Sequence, residues 1–255
     1  MSLKFPAALL GRRAAAFPAP LHWWNLDDDA SWQDDGYSVN AFHLVEGGAN
    51  PTVASSGGPG LQDVANVAAR NKWLARGSRV YAPNDNGSFS YSIWSKKIAQ
   101  GQGVIFAWHN ATGGGLFPSG GNRIFSLHTD GASPTSRIYS RFYDDATATS
   151  QSSTGLVYAQ NVWNHIVGTF DGATKQHKLY LNGVYIGGTT TSSFTTFNTT
   201  DAMTCAIGTM PNSLSTTGGY HRGYVGMAGI WDAVLSEENV TFLYNGGLGR
   251  QFNDL

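Results

Sequence analysis

Acid–base chemistry needs carboxylates held at a fixed separation, and this chain offers few. Its only glutamates are Glu46, Glu237 and Glu238. Glu46 precedes a Gly-Gly turn, and the other two open a helical pattern. Glycoside hydrolysis needs two acids flanking the scissile bond. Asp144 and Asp145 are neighbours, and neighbours on a strand point to opposite faces. His22, His43, His109, His128, His165, His177 and His221 show no metal-ligand spacing. His165 lies inside an apolar strand pattern and reads as a packed structural residue. No Gly-x-Ser-x-Gly elbow leads into a helix. Cys205, the single cysteine, sits among Met203, Ala206 and Ile207 and reads as a small buried hydrophobe. One cysteine excludes an intrachain disulfide and a paired-cysteine zinc site. These residues predict a protein that is not an enzyme.

Recognition chemistry is better supplied. Sugar binding needs aromatic faces for C–H groups and planar amides, carboxylates or guanidinium groups for hydroxyls. Trp108, His109, Asn110, Asn122 and Arg123 bracket a glycine-rich loop, and Arg141, Tyr143 and Asp144 end the next strand pattern. These eight residues form the candidate ligand-binding set. Trp94, Trp163 and Trp231 fall in alternating strand patterns and are expected in the core. The glycine runs at 113–115 and 120–121 lack the following lysine and helix of a phosphate loop.

Short strands must position these groups. Ser88–Ser95 alternates polar and apolar residues, the period of a half-buried strand. Further strand patterns begin at Gly103, Arg123, Arg137, Trp163 and Lys178. Asn182-Gly183 between apolar runs is a strong hairpin signal, because both turn positions need positive φ. Near the end Ser236 is a candidate N-cap, with Glu237 and Glu238 in the first turn and Gly246-Gly247 as the stop. Many short strands and regular turns predict an all-β, two-sheet antiparallel sandwich with one short C-terminal helix.

Charged residues are only 13% of the chain and the net charge is −1. This gives no electrostatic footprint for nucleic acid or an anionic membrane, and neither is expected as a partner. The polar surface must come from Ser, Thr, Asn, Gln and Gly, as on secreted or virion proteins. Pro6, Arg12 and Arg13 interrupt the first apolar run, so no secretion signal is read. Residues 1–20 carry Leu3, Phe5, Leu9, Leu10 and Phe17, no acids and no strand alternation. They are expected to form an N-terminal arm that tethers the domain 21–255 to other virion subunits or to a second copy.

Three segments in order resemble the laminin G-like jelly roll of the concanavalin A-like superfamily. They are Trp23–Asp28 with Asp34–Leu44, Trp163–Gly172 running through Lys178–Gly187, and Gly223–Glu238. The resemblance spans about residues 21–250 and implies the jelly-roll form of the sandwich. It also implies a calcium ion at an acidic loop, for which Asp34, Asp35 and Asn40 match. The closing strand departs from that pattern, with Gly226 where relatives often carry an acid. Hard Ca²⁺ would need such carboxylate and carbonyl oxygens. The resulting expectation is a bacteriophage virion surface protein, in head decoration, tail or fibre, with a lectin-like fold. The alternative is a free-standing, extracellular carbohydrate-binding lectin or adhesion module. A glycoside hydrolase or lyase ranks last.

Overall fold

The computed structural model describes residues 17–26, 44–48, 52–54, 59, 64–67, 72–80, 87–99, 101–109, 123–130, 136–144, 149–197, 202–209, 219–250 and 255. Its strands are β1 (His22–Trp24), β2 (Val45–Gly48), β3 (Thr52–Ala54), β4 (Val64–Asn66), β5 (Lys72–Val80), β6 (Phe89–Lys97), β7 (Gly103–His109) and β8 (Arg123–Thr129). They continue with β9 (Ser136–Tyr143), β10 (Thr149–Tyr158), β11 (Asn164–Asp171), β12 (Gln176–Leu181), β13 (Val184–Thr190), β14 (Ala202–Ile207), β15 (Gly219–Tyr220) and β16 (Gly223–Trp231). Helix α1 spans Glu237–Tyr244.

The strands form two sheets. The first runs β13-β12-β11-β6-β16-β4-β3 with β1 also on β16, and the second runs β10-β9-β8-β7-β14-β5-β2 with β15 on β7. Pairing is antiparallel apart from a two-residue parallel bridge between β15 and β7. This is the expected two-sheet antiparallel jelly roll.

The inner faces of the two sheets supply the main core. Phe89, Tyr91 and Ile93 of the first sheet meet Phe106, Phe125, Leu127 and Phe142 of the second. Tyr91 and Phe125 stack at 4.7 Å across the interface. The core also holds a polar tie: Tyr91 donates to Ser140 Oγ at 2.6 Å, and that oxygen lies 2.8 Å from His177 Nε2. A buried hydroxyl or imidazole is costly unless paired, so the tie fixes how the sheets face each other.

The first sheet is buried on its outer face as well. Trp23, Trp94, Val167, Tyr180, Met227 and Trp231 form a second cluster with Leu235, Val240 and Leu243 from the helical segment. Ser90 and Ser92, expected on the solvent side of a half-buried strand, lie beneath this cover, each at most 1% exposed. Ser90 Oγ donates to the Ala233 carbonyl and accepts from Leu235 N, while Ser92 Oγ lies 2.8 Å from His165 Nε2. The alternation is real, but its polar face is satisfied by protein instead of water. Trp163 precedes β11 and is only partly buried, against this second cluster and outside the main core; Leu181 is partly buried against the main core.

Local chemistry sets the ends of the elements. Asn182 and Gly183 both take positive φ, 52° and 80°, as the hairpin requires. Ser236 caps α1 in a capping box with Asn239, and Asn245 closes it in the left-handed conformation. Gly229 lets Trp23 and Trp231 close over its backbone, since an added Cβ would lie 2.6 Å from both rings.

Residues 17–20, placed by sequence in the arm, are attached to this cover. Phe17 packs edge-on to Trp231 at 6.1 Å and against Phe242 at 5.1 Å. Trp231 Nε1 donates to the Pro18 carbonyl at 2.9 Å. Residues 1–16 lie outside the described residues.

Candidate functional site

The outer face of the second sheet has a different character. In β8, Phe125 and Leu127 enter the core, so Ser126 and His128 point outward; in β9, Ile138 and Phe142 do the same and turn Tyr139, Arg141 and Tyr143 outward. Register then sets Ser126 opposite Arg141 and His128 opposite Tyr139. Ala107 of β7 and Ala206 of β14 continue the Ser126 row. These outward positions are not all open: Ala107, Ala206, Ser126, His128 and Tyr143 are buried, while of the outward β9 residues Arg137 is exposed and Tyr139 and Arg141 are half-buried.

These outward residues are held by specific contacts. Ser126 Oγ and Tyr143 OH are 3.0 Å apart. The His128 ring stacks on Tyr139 at 5.2 Å with the planes nearly parallel. Asp130 ends the strip: its Oδ1 accepts from Arg137 N at 2.8 Å, and its Oδ2 accepts from Tyr139 OH at 3.5 Å. Burial pushes His128 down to about 3, and the positive charge of Arg141 adds to the effect. The imidazole is thus neutral at physiological pH and serves as a flat support. On the inner side of the same end, Lys97 is pushed down to about 8 by burial, opposed by the charge of Asp130. Its Nζ donates to Thr129 Oγ1 at 3.3 Å.

The family model for the concanavalin A-like lectin/glucanases superfamily matches residues 74–241. The chain belongs to the concanavalin A-like lectin/glucanases superfamily.

No curated protein matches it in sequence. Among solved structures it is similar to the binding domain of botulinum neurotoxin serotype D, with TM-score 0.63 and 12% identity over 89% of this chain. The chain spans only 52% of that structure. Domain 4 of an extracellular arabinanase from Geobacillus stearothermophilus, solved with arabinotriose, gives TM-score 0.59 and 14% identity, covering 88% of this chain and 98% of that one. The sialidase CBM40 of Ruminococcus gnavus, bound to α2,3-sialyllactose, gives TM-score 0.51 and 14% identity over 67% and 97% of the two chains. At these identities the likeness concerns the fold.

Within this superfamily sandwich the sequence-predicted residues part company. Arg141 and Tyr143 stand together on the outer face of the second sheet. Trp108 does not join them: it is 2% exposed in the main core, 6.0 Å from the His22 ring. It cannot serve as a sugar platform, because its position in β7 alternates inward. His109 is buried at the end of β7. Arg123 opens β8, paired in register with His109. Asp144, 1% exposed, turns to the end of the sandwich, where its Oδ2 accepts from Thr195 N and Oγ1, both at 3.1 Å. Asn110, Asn122, Asp34, Asp35 and Asn40 lie outside the described residues. Among the described residues no group of three or more His, Cys, Asp or Glu side chains is gathered for a metal.

Ser126, His128 and Tyr139 were missed as a set. Their signal is the paired alternation Phe125-Ser126-Leu127-His128 and Ile138-Tyr139-Ser140-Arg141-Phe142-Tyr143. Aligning the two strands with the apolar residues inward gathers the polar ones on one side.

Proposed function

We propose that this chain is a non-enzymatic glycan-binding module displayed on a bacteriophage particle, and that it presents the β8–β9 face to its ligand. The observation that carries the reading is the division of the sandwich into two sides. Phe17 and Pro18 are fixed on the cover of the first sheet, while Arg137, Tyr139 and Arg141 keep exposed or half-exposed surface on the second. A module tethered through its N-terminal segment on one side and carrying a half-exposed tyrosine and two arginines on the other suits an adhesive surface protein. Tyrosines give sugar C–H groups an apolar face and their hydroxyls a partner. Two fold relatives were solved with saccharides, arabinotriose and α2,3-sialyllactose. In the described residues Asp144 is committed to Thr195, and Glu237 and Glu238 sit on the helix away from the strip. Those positions favour binding over glycan cleavage.

An array of glycans probed with the full chain tests the binding reading. Binding should appear and be lost in Tyr139→Ala and Arg141→Gln variants that still fold; binding that survives both changes contradicts it. Immunogold labelling of purified particles tests the display reading, with other virion subunits or a second copy as partners of the N-terminal segment. Labelling absent from particles but present in cell medium would favour a free-standing extracellular lectin. For calcium at Asp34, Asp35 and Asn40, melting of metal-stripped protein with Ca²⁺ against EDTA is decisive. Binding to the native state raises Tm by mass action, and an unchanged Tm removes calcium from the account.

A further inference from the structure

We infer that the N-terminal segment docks on its own domain: Arg12 and Arg13 lie in the surface groove along α1 and face Glu238 and Glu237, leaving residues 1–11 to reach a partner. This holds whether or not the β8–β9 face takes a glycan.

Glu238, Thr241, Phe242, Asn245 and Arg250 line a groove of about 600 Å³. The first four are spaced three and four residues apart in sequence, so they share one face of the helix. Glu237, Glu238 and Thr241 are exposed, and Phe242 and Arg250 are half-buried. The two ends of the groove differ in charge. Glu237 and Glu238 occupy the first turn of α1. At the other end the Arg250 guanidinium lies over the Phe242 ring at 4.2 Å, and its Nε donates to the Phe242 carbonyl at 3.2 Å. Glu237 is shared with Lys178, whose Nζ is 3.9 Å from its Oε1. Glu238 is therefore the main acid of the groove.

The occupant follows from where the chain enters. Phe17 packs on Phe242 at 5.1 Å, so the segment before it starts at the groove wall. Residues 1–16 carry Lys4, Arg12 and Arg13 and no acid. Ala14, Ala15 and Ala16 link Arg13 to Phe17, a span of at most roughly 14 Å. Glu238 lies four residues before Phe242, roughly 6 Å along the helix axis. Arg12 and Arg13 are thus within reach of the two acids. The cation at one end and the acids at the other set the direction: the segment runs from Phe242 toward the first turn of α1. Exposed ion pairs are weak singly. A short tether offsets this, because it makes the contact intramolecular, at an effective concentration in the millimolar range. A second copy or a free basic peptide competes without that advantage.

The test is limited trypsin digestion of the folded full chain, read by mass spectrometry against a synthetic peptide of residues 1–20. Cleavage after Arg12 and Arg13 should be about fivefold or more slower in the chain than in the peptide, the scale of two exposed ion pairs. Cleavage after Lys4 should match the peptide. Glu238→Lys should return Arg12 and Arg13 to the peptide rate while the Tm holds, and high salt should do so in part. Amide chemical shifts give a second reading without protease. Arg12→Gln combined with Arg13→Gln in the full chain should move Glu238, Thr241 and Phe242, and Lys4→Gln should leave them in place. Equal cleavage in chain and peptide overturns the inference. Protection that survives Glu238→Lys, or α1 amides unmoved by the arginine changes, also overturns it. Protection that fades on dilution assigns the groove to a second copy and overturns docking within one chain.

Discussion

The two outer faces of the sandwich are built on the same strand alternation and differ in chemistry and in how far they are covered. On the first sheet the outward residues include Trp94, Val167, Tyr180, Met227 and Trp231, and the helical segment with Leu235, Val240 and Leu243 seals them. On the second, the outward residues of β8 and β9 are Ser126, His128, Tyr139, Arg141 and Tyr143. One face is sealed and attaches the N-terminal segment; on the other Ser126, His128 and Tyr143 are buried as well, and Tyr139 and Arg141 keep partial exposure.

The comparison breaks first at the sealed face. Trp231→Ala removes a fully buried indole that also bonds Pro18, and should cost about 3–5 kcal/mol in urea unfolding. A loss below 1 kcal/mol would mean that the cover is not part of the cooperative unit.

Acid should act on both faces. Burial pushes His165 and His221 down to about 3, as it does His128. Unfolding restores their ordinary value near 6.5, so the unfolded chain takes up protons that the folded one refuses. Their contribution is complete above pH 6.5 and is lost as pH falls from there toward 3. Each such histidine should cost about 1.4 kcal/mol per pH unit below 6.5. Urea midpoints should fall steeply between neutral pH and pH 5.5; a flat profile would contradict neutral burial.

Smaller effects sharpen the contrast. Ser236→Ala removes the cap of the sealing helix and should cost about 1 kcal/mol. Arg141→Gln, on the polar face, should change stability by about 0.5 kcal/mol or less, with its effect seen in binding. A large stability loss there would make the strip structural.

Much of this was legible in the sequence. Strand alternation, the Asn182-Gly183 turn and the Ser236 cap are local signals, and local chemistry decided them. Arg141 and Tyr143 were singled out because they end a strand in polar aromatic company; both point to the outer face, where Arg141 is half-buried and Tyr143 buried. Trp108 misled because an aromatic residue beside His109 and Asn110 looks like a platform, whereas its side of β7 depends on long-range pairing with β8 and β14. The burial of Ser90 and Ser92 was hidden for the same reason: their partners, Leu235 and His165, lie far along the chain. The strip itself required two strands in register, and register is tertiary information.

The most direct test of the division is amide chemical-shift mapping of the labelled chain with the tightest-binding array glycan. The account predicts shifts concentrated at Ser126, His128, Tyr139, Arg141 and Tyr143, with α1 and Trp231 unmoved. Shifts centred on α1, or spread without focus over the sandwich, would contradict it.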